Sequence, residues 1–356
     1  MCDHPAPEEP TAATSASSLR ELLRAGDSIP EVTRVNGAIW RISVPFPYGS
    51  LPSTQVYVLD SPRGPVLIDT GCDDEQAWSA LTAGMAACGF RVAETHGVLV
   101  THGHSDHHGL SGRVREVSGA WIAMSHREAR FIDELDYMSS GWAEHLRRTL
   151  ILCGAPESDR VAADGVSRSR LVSPDWTFDD GQTIEVAGRK VTVIATPGHT
   201  PGHVCYSIDS TGVIFSGDHV LPSTTPRIGV AEYDGSGDPL ADMIESYERM
   251  QDLDPELVLP GHEVAFHDLP GRCAELVARK RRQLDRVRDR LGAQGTSTAW
   301  TLASGLEWGR PWPEISAGRR RLLILEVLAA VNHLCATGTA RRDMIDGVAT
   351  FSPPGR

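Results

Sequence analysis

Thr101-His102-Gly103-His104-Ser105-Asp106-His107 is the stretch on which the reading of this chain turns. Three imidazoles and a carboxylate fall within six residues, although histidine supplies only 14 of 356 positions. These side chains suit zinc and neighbouring transition metals. The preceding Gly97-Val98-Leu99-Val100 is a short apolar run and predicts a buried strand. Gly109 to Val117 predicts a helix. The cluster therefore sits on a strand-to-helix turn, where α/β proteins hold ligands. Spacing sorts its side chains. In an extended turn His102 and His104, two apart, project to the same side and share one metal. Asp106 and His107 follow where the chain starts to coil, and point at a second spot. A polar loop with an incidental histidine does not explain several donors of alternating reach.

A two-metal site needs more donors, and three other segments offer them. Val191 to Ala195 runs into Thr196-Pro197-Gly198-His199. Val213 to Ser216 runs into Gly217-Asp218-His219, and Leu257 to Leu259 into Pro260-Gly261-His262-Glu263. Each is an apolar strand, a glycine that lets the backbone turn sharply, then a His or Asp. Donors at strand C-termini converge on one rim.

These motifs resemble the metallo-β-lactamase superfamily, over roughly residues 34 to 267. They are Asp69 in Leu-Ile-Asp-Thr-Gly, then His102, His104, Asp106 and His107, then His199, Asp218 and His262. The resemblance implies an α/β fold, the metallo-β-lactamase αββα sandwich. It also implies two Zn²⁺ per chain, with iron or manganese as alternatives. His102, His104 and His199 would take the first metal, and Asp106, His107 and His262 the second. Asp218 would bridge both, and Asp106 and Asp218 would be the catalytic carboxylates. Asp69 is carried over as a residue behind the ligands that orients their loop. Position 218 is Asp rather than Cys, which points to the broad hydrolase branch and away from antibiotic-degrading β-lactamases. Position 104 is His where the diiron flavoprotein branch has Glu, which disfavours that redox reading.

Composition narrows the function. The net charge of −13 argues against a nucleic-acid substrate, because a nuclease needs an electropositive face. Arg279-Lys280-Arg281-Arg282, with Arg286, Arg288 and Arg290, is interleaved with Asp285 and Asp289 at helical spacing. That pattern reads as a solvated, internally paired helix face. The sharper alternative is a landing site for a phosphorylated arm such as that of coenzyme A. No apolar run approaches the ~18 residues of a membrane helix. Residues 1–18, rich in Pro, Ala, Thr, Ser and Glu, read as a disordered tail without a signal peptide. Seven scattered cysteines without a C-x-x-C favour reduced thiols and a cytoplasmic location. Cys72 and Cys205 lie near site motifs, with small-residue packing as their expected role.

Residues 19–268 form the expected catalytic domain, with three elaborations. An insertion at about 126–170 carries Phe131, Leu135, Tyr137, Met138, Trp142, Leu146, Leu150 and Leu152 at amphipathic-helix spacing. It is expected to form a helical lid that shapes an apolar pocket, with His126 and His145 outside the ligand set. The turn from His219 to Gly229 leaves the metal rim and should wall the site. There His219 is a candidate hydrogen-bond partner of a ligand or substrate, with His203 and His108 as weaker ones. Residues 269–356 predict helices at 271–291, 297–306 and 319–336, then a hairpin turning on Asp346-Gly347. That order resembles a small winged-helix domain. The acidity of the chain favours its packing on the catalytic domain, or homodimerisation, over DNA binding.

The expected reaction follows from the resemblance and metal chemistry. A metal-bridging hydroxide would hydrolyse an acyl thioester or an ester-like bond of a small molecule. A thiolate leaves without strong acid help, since thiol pKa values lie near ~8.5. Alternatives are a lactonase, an RNA-processing nuclease and a single-iron sulfur dioxygenase. A winged-helix regulator with a degenerate domain would require missing ligands, and none is missing.

Overall fold

A computed structural model describes residues 32–47, 51–137, 142–160, 171–233 and 237–354. The expected tail at 1–18 lies outside them, as does part of the expected lid. Seven strands form the first sheet: β1 (Val32–Asn36), β2 (Ile39–Pro45), β3 (Ser53–Leu59), β4 (Val66–Ile68), β5 (Gly97–Leu99), β6 (Trp121–Ser125) and β7 (Trp176–Phe178). They lie in sequential order, the first three pairings antiparallel and the last three parallel. Five form the second, in the order β12-β11-β10-β9-β8. They are β8 (Thr183–Val186), β9 (Arg189–Ala195), β10 (Val204–Ile208), β11 (Val213–Gly217) and β12 (Leu257–Pro260).

Side-chain alternation explains why the sheets stack. Val66, Ile68, Leu99 and Ala123 of the first sheet meet Val191, Val193, Tyr206, Val213, Phe215 and Leu259 of the second in one buried layer. Their neighbours Leu67, Val98, Ile122 and Met124 point to the opposite face. There they meet Leu81 and Met85 of α1 (Glu75–Ala87). A period of two thus gives each strand two apolar faces, which a doubly covered sheet requires. Phe215 lies fully buried against Tyr57, ring centroids 5.1 Å apart. Cutting it to alanine would cost about 3–5 kcal/mol. Two tyrosines stitch the sheets together. Tyr57 Oη donates to the Pro260 carbonyl and Tyr206 Oη to that of Val100, each at 2.7 Å. The αββα architecture expected from the sequence is present.

The remaining helices are α2 (Ser105–His108), α3 (Ser111–Ser118), α4 (His126–Tyr137), α5 (Trp142–Leu152), α6 (Glu157–Arg160), α7 (Pro239–Met250), α8 (Leu269–Gln294), α9 (Ala299–Gly305) and α10 (Ala317–Ala336). Strand β13 (Ser297–Thr298) precedes α9, and β14 (Arg341–Ile345) and β15 (Val348–Ser352) follow α10. These last three strands pair as β13-β15-β14. Asp346 and Gly347 both have positive φ, 49° and 79°, as a tight hairpin turn needs. The C-terminal elements share one core with the outer face of the second sheet. Ile214, Met243, Tyr247, Leu276, Val287, Ile324, Leu328 and Phe351 belong to a single buried cluster.

The inserted segment and the basic run on α8 are both tied into the rest of the chain. The inserted segment is anchored through its described residues. Glu128, Ile132, Leu150, Cys153 and Ala155 are buried, and Asp159 accepts from Trp300 Nε1 and Arg320. The basic run on α8 is mostly engaged within the chain. Arg279 pairs with Glu275, Arg281 with Glu248, and Arg288 with Asp285 and Asp289. Arg286 covers the Trp308 ring, and Lys280 is buried. This matches the paired-face reading and leaves little for a phosphorylated arm. Among the described residues no helix is long and apolar enough to cross a membrane.

Candidate metal centre

The His102 loop leaves β5, and Asp69, Asp218 and His262 follow the C-terminal ends of β4, β11 and β12. His199 lies in the loop between β9 and β10. His104 has extended backbone and caps α2, which carries Asp106 and His107 in its only turn. This is the change from extended to coiled chain that the spacing predicts. Glycines make room where the loops converge. Gly217 has φ 49°, and a Cβ on it would lie 2.6 Å from His203 Nε2. A Cβ on Gly261 would lie 2.8 Å from Asp218 Oδ1.

The seven predicted donors come together in two groups. His102 Nε2, His104 Nδ1 and His199 Nε2 converge, with His104 Nδ1 at 2.8 Å from the first and 3.1 Å from the last. His262 Nε2 lies 3.3 Å from Asp106 Oδ2, and His107 Nε2 lies 3.6 Å from it. Asp218 faces both groups with different oxygens. Its Oδ1 is 3.4 Å from His107 Nε2 and from His262 Nε2, and its Oδ2 is 3.5 Å from His199 Nε2.

Tautomers test whether metal ions fit. His107 Nδ1 is held 2.8 Å from Asp69 Oδ2, His199 Nδ1 3.1 Å from the Arg227 carbonyl, and His262 Nδ1 2.7 Å from the Ser53 carbonyl. A ring nitrogen facing a carbonyl or carboxylate carries a proton, so each Nε2 is the atom turned inward, and it offers a lone pair in the neutral ring. In the first group His102 Nε2 and His199 Nε2 lie 2.8 and 3.1 Å from His104 Nδ1. They are spaced as donors on one ion, since tetrahedral arms of ~2.05 Å place ligands about 3.3 Å apart. Among the described residues, buried His107 Nε2 and Asp218 Oδ1 have no hydrogen-bond partner, the pattern of groups shaped for a cation. The residues present fit a pair of divalent ions.

Charge is divided between the groups. Burial pushes the His102 and His104 rings down, and neighbouring cations add to this, so both are neutral. Burial takes His199 to about 3, with His104 contributing. In the second group burial opposes charging, yet the surrounding carboxylates raise His107 well above its ordinary value and His262 to about 10. Burial alone would raise the Asp106 and Asp218 carboxyls; the histidines pull both below their ordinary value. The carboxylates thus sit ionised and demand positive charge beside them.

Asp69 occupies the place expected behind the ligands. It accepts from Thr101 N and Oγ1 at 2.8 Å as well as from His107, and it holds a left-handed φ of 58°. Such backbone strain outside glycine persists only where surroundings over-determine it. His219 is placed differently from its expectation. Its buried ring stacks on Tyr247 at 4.5 Å, and neither nitrogen bonds a cluster member among the described residues. The apolar face of Tyr247 outweighs the pull of the site. His203 does reach a ligand, its Nε2 accepting from Asp218 N at 3.1 Å. His108 instead joins Ser111 Oγ and the Val172 carbonyl. His145 faces the Ala231 carbonyl at 2.9 Å.

Three further residues escape a sequence reading. Buried Glu128 accepts from Gly103 N, Thr200 Oγ1 and Gly202 N at 2.5, 2.8 and 2.9 Å, tying together the loops of His104 and His199. Burial pushes its carboxyl up to about 7 despite those donors. Ser125-x-x-Glu128 has the spacing of a helix capping box, a visible signal. Here the carboxylate reaches across the loops. Arg227 and Glu232, paired at 2.5 Å, both stand beside His104 Nε2, at 2.7 and 3.4 Å. An arginine and a glutamate in a loop give no comparable signal.

Two donor groups sharing one carboxylate, at the ends of stacked sheets, define a candidate dinuclear metal site in an αββα fold. The chain belongs to the metallo-beta-lactamase superfamily, whose family model matches residues 50–262. It is 26% identical over 282 residues to the lactamase-like protein adaB of Aspergillus niger, across 78% of this chain and 70% of that one. It is 25% identical over 262 residues to an atrochrysone carboxyl ACP thioesterase of Aspergillus fumigatus. That match covers 73% of this chain but only 49% of the thioesterase. Among solved structures, a metallo-beta-lactamase family protein of Thermus thermophilus superposes with TM-score 0.76 at 27% identity. It covers 90% of this chain and 100% of its own.

Proposed function

We propose that this protein is a dinuclear metal-dependent hydrolase that cleaves small-molecule acyl thioesters, with esters and lactones as the second class. The observation that carries this is the division of the Asp218 carboxylate, one oxygen toward His199 and the other toward His107 and His262. His102, His104 and His199 would hold one ion, Asp106, His107 and His262 the other, and Asp218 both. Such ions, when bound, supply a water acidified to near neutrality and a Lewis acid for the acyl oxygen.

The chain's own residues do the rest. Asp106, held ionised beside His107 and His262, would accept a hydrogen bond from the attacking water and orient it. Asp218 keeps the two donor groups in register, and His203 holds the backbone N–H of Asp218. The C–S bond breaks as the new C–O bond forms. The thiol product leaves as thiolate without a strong acid, its pKa being near ~8.5. The thioesterase relative supports the thioester reading. The apolar spacing of residues 126–152 supports a bulky acyl group. Zinc is the proposed metal, a cytoplasmic location fits the free thiols of the described residues, and the C-terminal element order supports the winged-helix reading.

Purified protein should contain about two zinc ions per chain. It should release thiol from acyl thioesters faster than it opens lactones or cleaves phosphodiesters. One iron per chain with no thiol release would replace this reading with the dioxygenase one.

A further inference from the structure

The loop from Leu221 to Gly229 is held in a way that its sequence does not announce. Arg272 on α8 donates through Nε to the Leu221 carbonyl and through Nη2 to that of Thr224, both at 2.7 Å. Lys280, further along α8 and 3% exposed, donates from Nζ to the Pro226 carbonyl at 2.8 Å. The same ammonium lies 3.2 Å from both oxygens of Glu326 on α10. Glu326 Oε1 in turn accepts from Ile228 N at 3.1 Å. The backbone groups on either side of Arg227 are therefore fixed by one buried ion pair. Both its members come from helices beyond the span of the family match.

Arg227 is where this loop meets the metal centre. Its carbonyl accepts from His199 Nδ1 at 3.1 Å, and its guanidinium stands 2.7 Å from His104 Nε2. Next to it, Gly229 N donates to the Gly198 carbonyl at 2.8 Å, locking the loop to the His199 turn. Two of the three imidazoles in the first donor group thus take their orientation from residue 227. The second group is tied to this loop only next to a ligand, where Glu263 accepts from Ser223 and Thr224, and among the described residues residue 227 bonds neither of its imidazoles. His107 is set by Asp69 and His262 by the Ser53 carbonyl.

We infer that Lys280 and Glu326 are positioning residues for one metal site only, acting through Arg227 on His104 and His199. The C-terminal helices would then have a task in the chemistry, namely setting the affinity of the three-histidine site. Lone charges buried by single substitutions destabilise a protein whatever their role. The informative variant therefore removes both, Lys280→Met with Glu326→Leu. Partners of this kind typically change metal affinity by about 10–100-fold.

The inference rests on the dinuclear reading, and one experiment separates the two. Wild-type protein stripped of metal is titrated with Zn²⁺ against a chromophoric chelator, and the two dissociation constants are resolved. Wild type that takes up fewer than two ions overturns the dinuclear reading itself. With two ions in wild type, the double variant should weaken one by about tenfold or more and leave the other within about threefold. Glu326→Gln, which keeps an oxygen for Ile228 N, should restore most of the loss. Equal weakening of both sites, or of neither, overturns the positioning role. Should the double variant fail to fold, Lys280→Gln with Glu326→Leu, which leaves no lone charge and keeps a donor for the Pro226 carbonyl, reads out the same selectivity.

Discussion

The two halves of the metal centre are supported from different parts of the molecule. Asp106, His107 and His262 are braced by the sandwich itself: Asp69 follows β4 and Ser53 opens β3. His104 and His199 depend on added layers, Glu128 of α4, Arg227 and Glu232 in a loop, and α8 and α10 behind it, while His102 leans on Thr101, which Asp69 holds. One half comes with the stacked sheets. The other is set by peripheral segments, and can be retuned by changing them while the sheets stay intact. A superfamily fold can in this way keep its hydrolytic centre while varying what surrounds it.

The largest effect should come from the residue shared by both halves. Asp218→Ala should abolish turnover and lower the content of both ions, beyond the about 10–100-fold that loss of an outer partner costs. His104→Ala should abolish turnover but release one ion more readily than the other, as metal analysis after gel filtration would show. Full activity in both variants would remove the dinuclear mechanism.

Next comes the brace of the strand-held half. Asp69→Asn should weaken the Asp106/His107/His262 site by about 10–100-fold. Chelator competition would expose the change, and an unchanged affinity would show that His107 needs no carboxylate behind it. On the other side, Glu128→Ala strands three buried donors. At roughly 1–3 kcal/mol for each unmet group, it should lower the thermal midpoint by several degrees or more, at about 2–4 °C per kcal/mol. A midpoint within one degree of wild type would show that the two loops hold together unaided. The smallest effect should follow from exchanging residues 134–142 for a Gly-Ser linker, which spares Glu128, Ile132 and Leu150. Acyl-chain preference, measured as kcat/KM across a thioester series, should shift while bound metal stays the same. An unchanged preference would place this segment away from the substrate.

The strand-held half was legible in the sequence because its determinants are local. Apolar runs end in Gly-Asp or Gly-His, and the spacing within His102 to His107 encodes the change from extended to helical chain. The other half was only partly legible. His102, His104 and His199 announce themselves by residue type. Glu128, Glu232, Lys280 and Glu326 reach the site from up to about two hundred residues away, by contacts that no periodicity records. The misplaced expectation for His219 has a related cause. Adjacency to Asp218 suggested a role at the rim, but the turn sends its ring inward onto Tyr247. The short β7, exposed at Trp176 and Thr177, escaped because three residues are too few to show an alternation.

The single buried cluster that joins the second sheet to α8, α10 and β15 bears on the order in which this chain is made. Synthesis runs from the N-terminus, and domains tend to fold as they emerge. Here Ile214 and Val258 of β11 and β12 face partners as late as Ile324 and Phe351. The nascent chain therefore carries a sheet face that α7 and α8 cover only in part until Phe351 has left the ribosome. The first donor group lacks Lys280 and Glu326 for much of that time. The hold that Lys280 and Glu326 have on the loop beside His104 and His199 is complete only once α10 has been made.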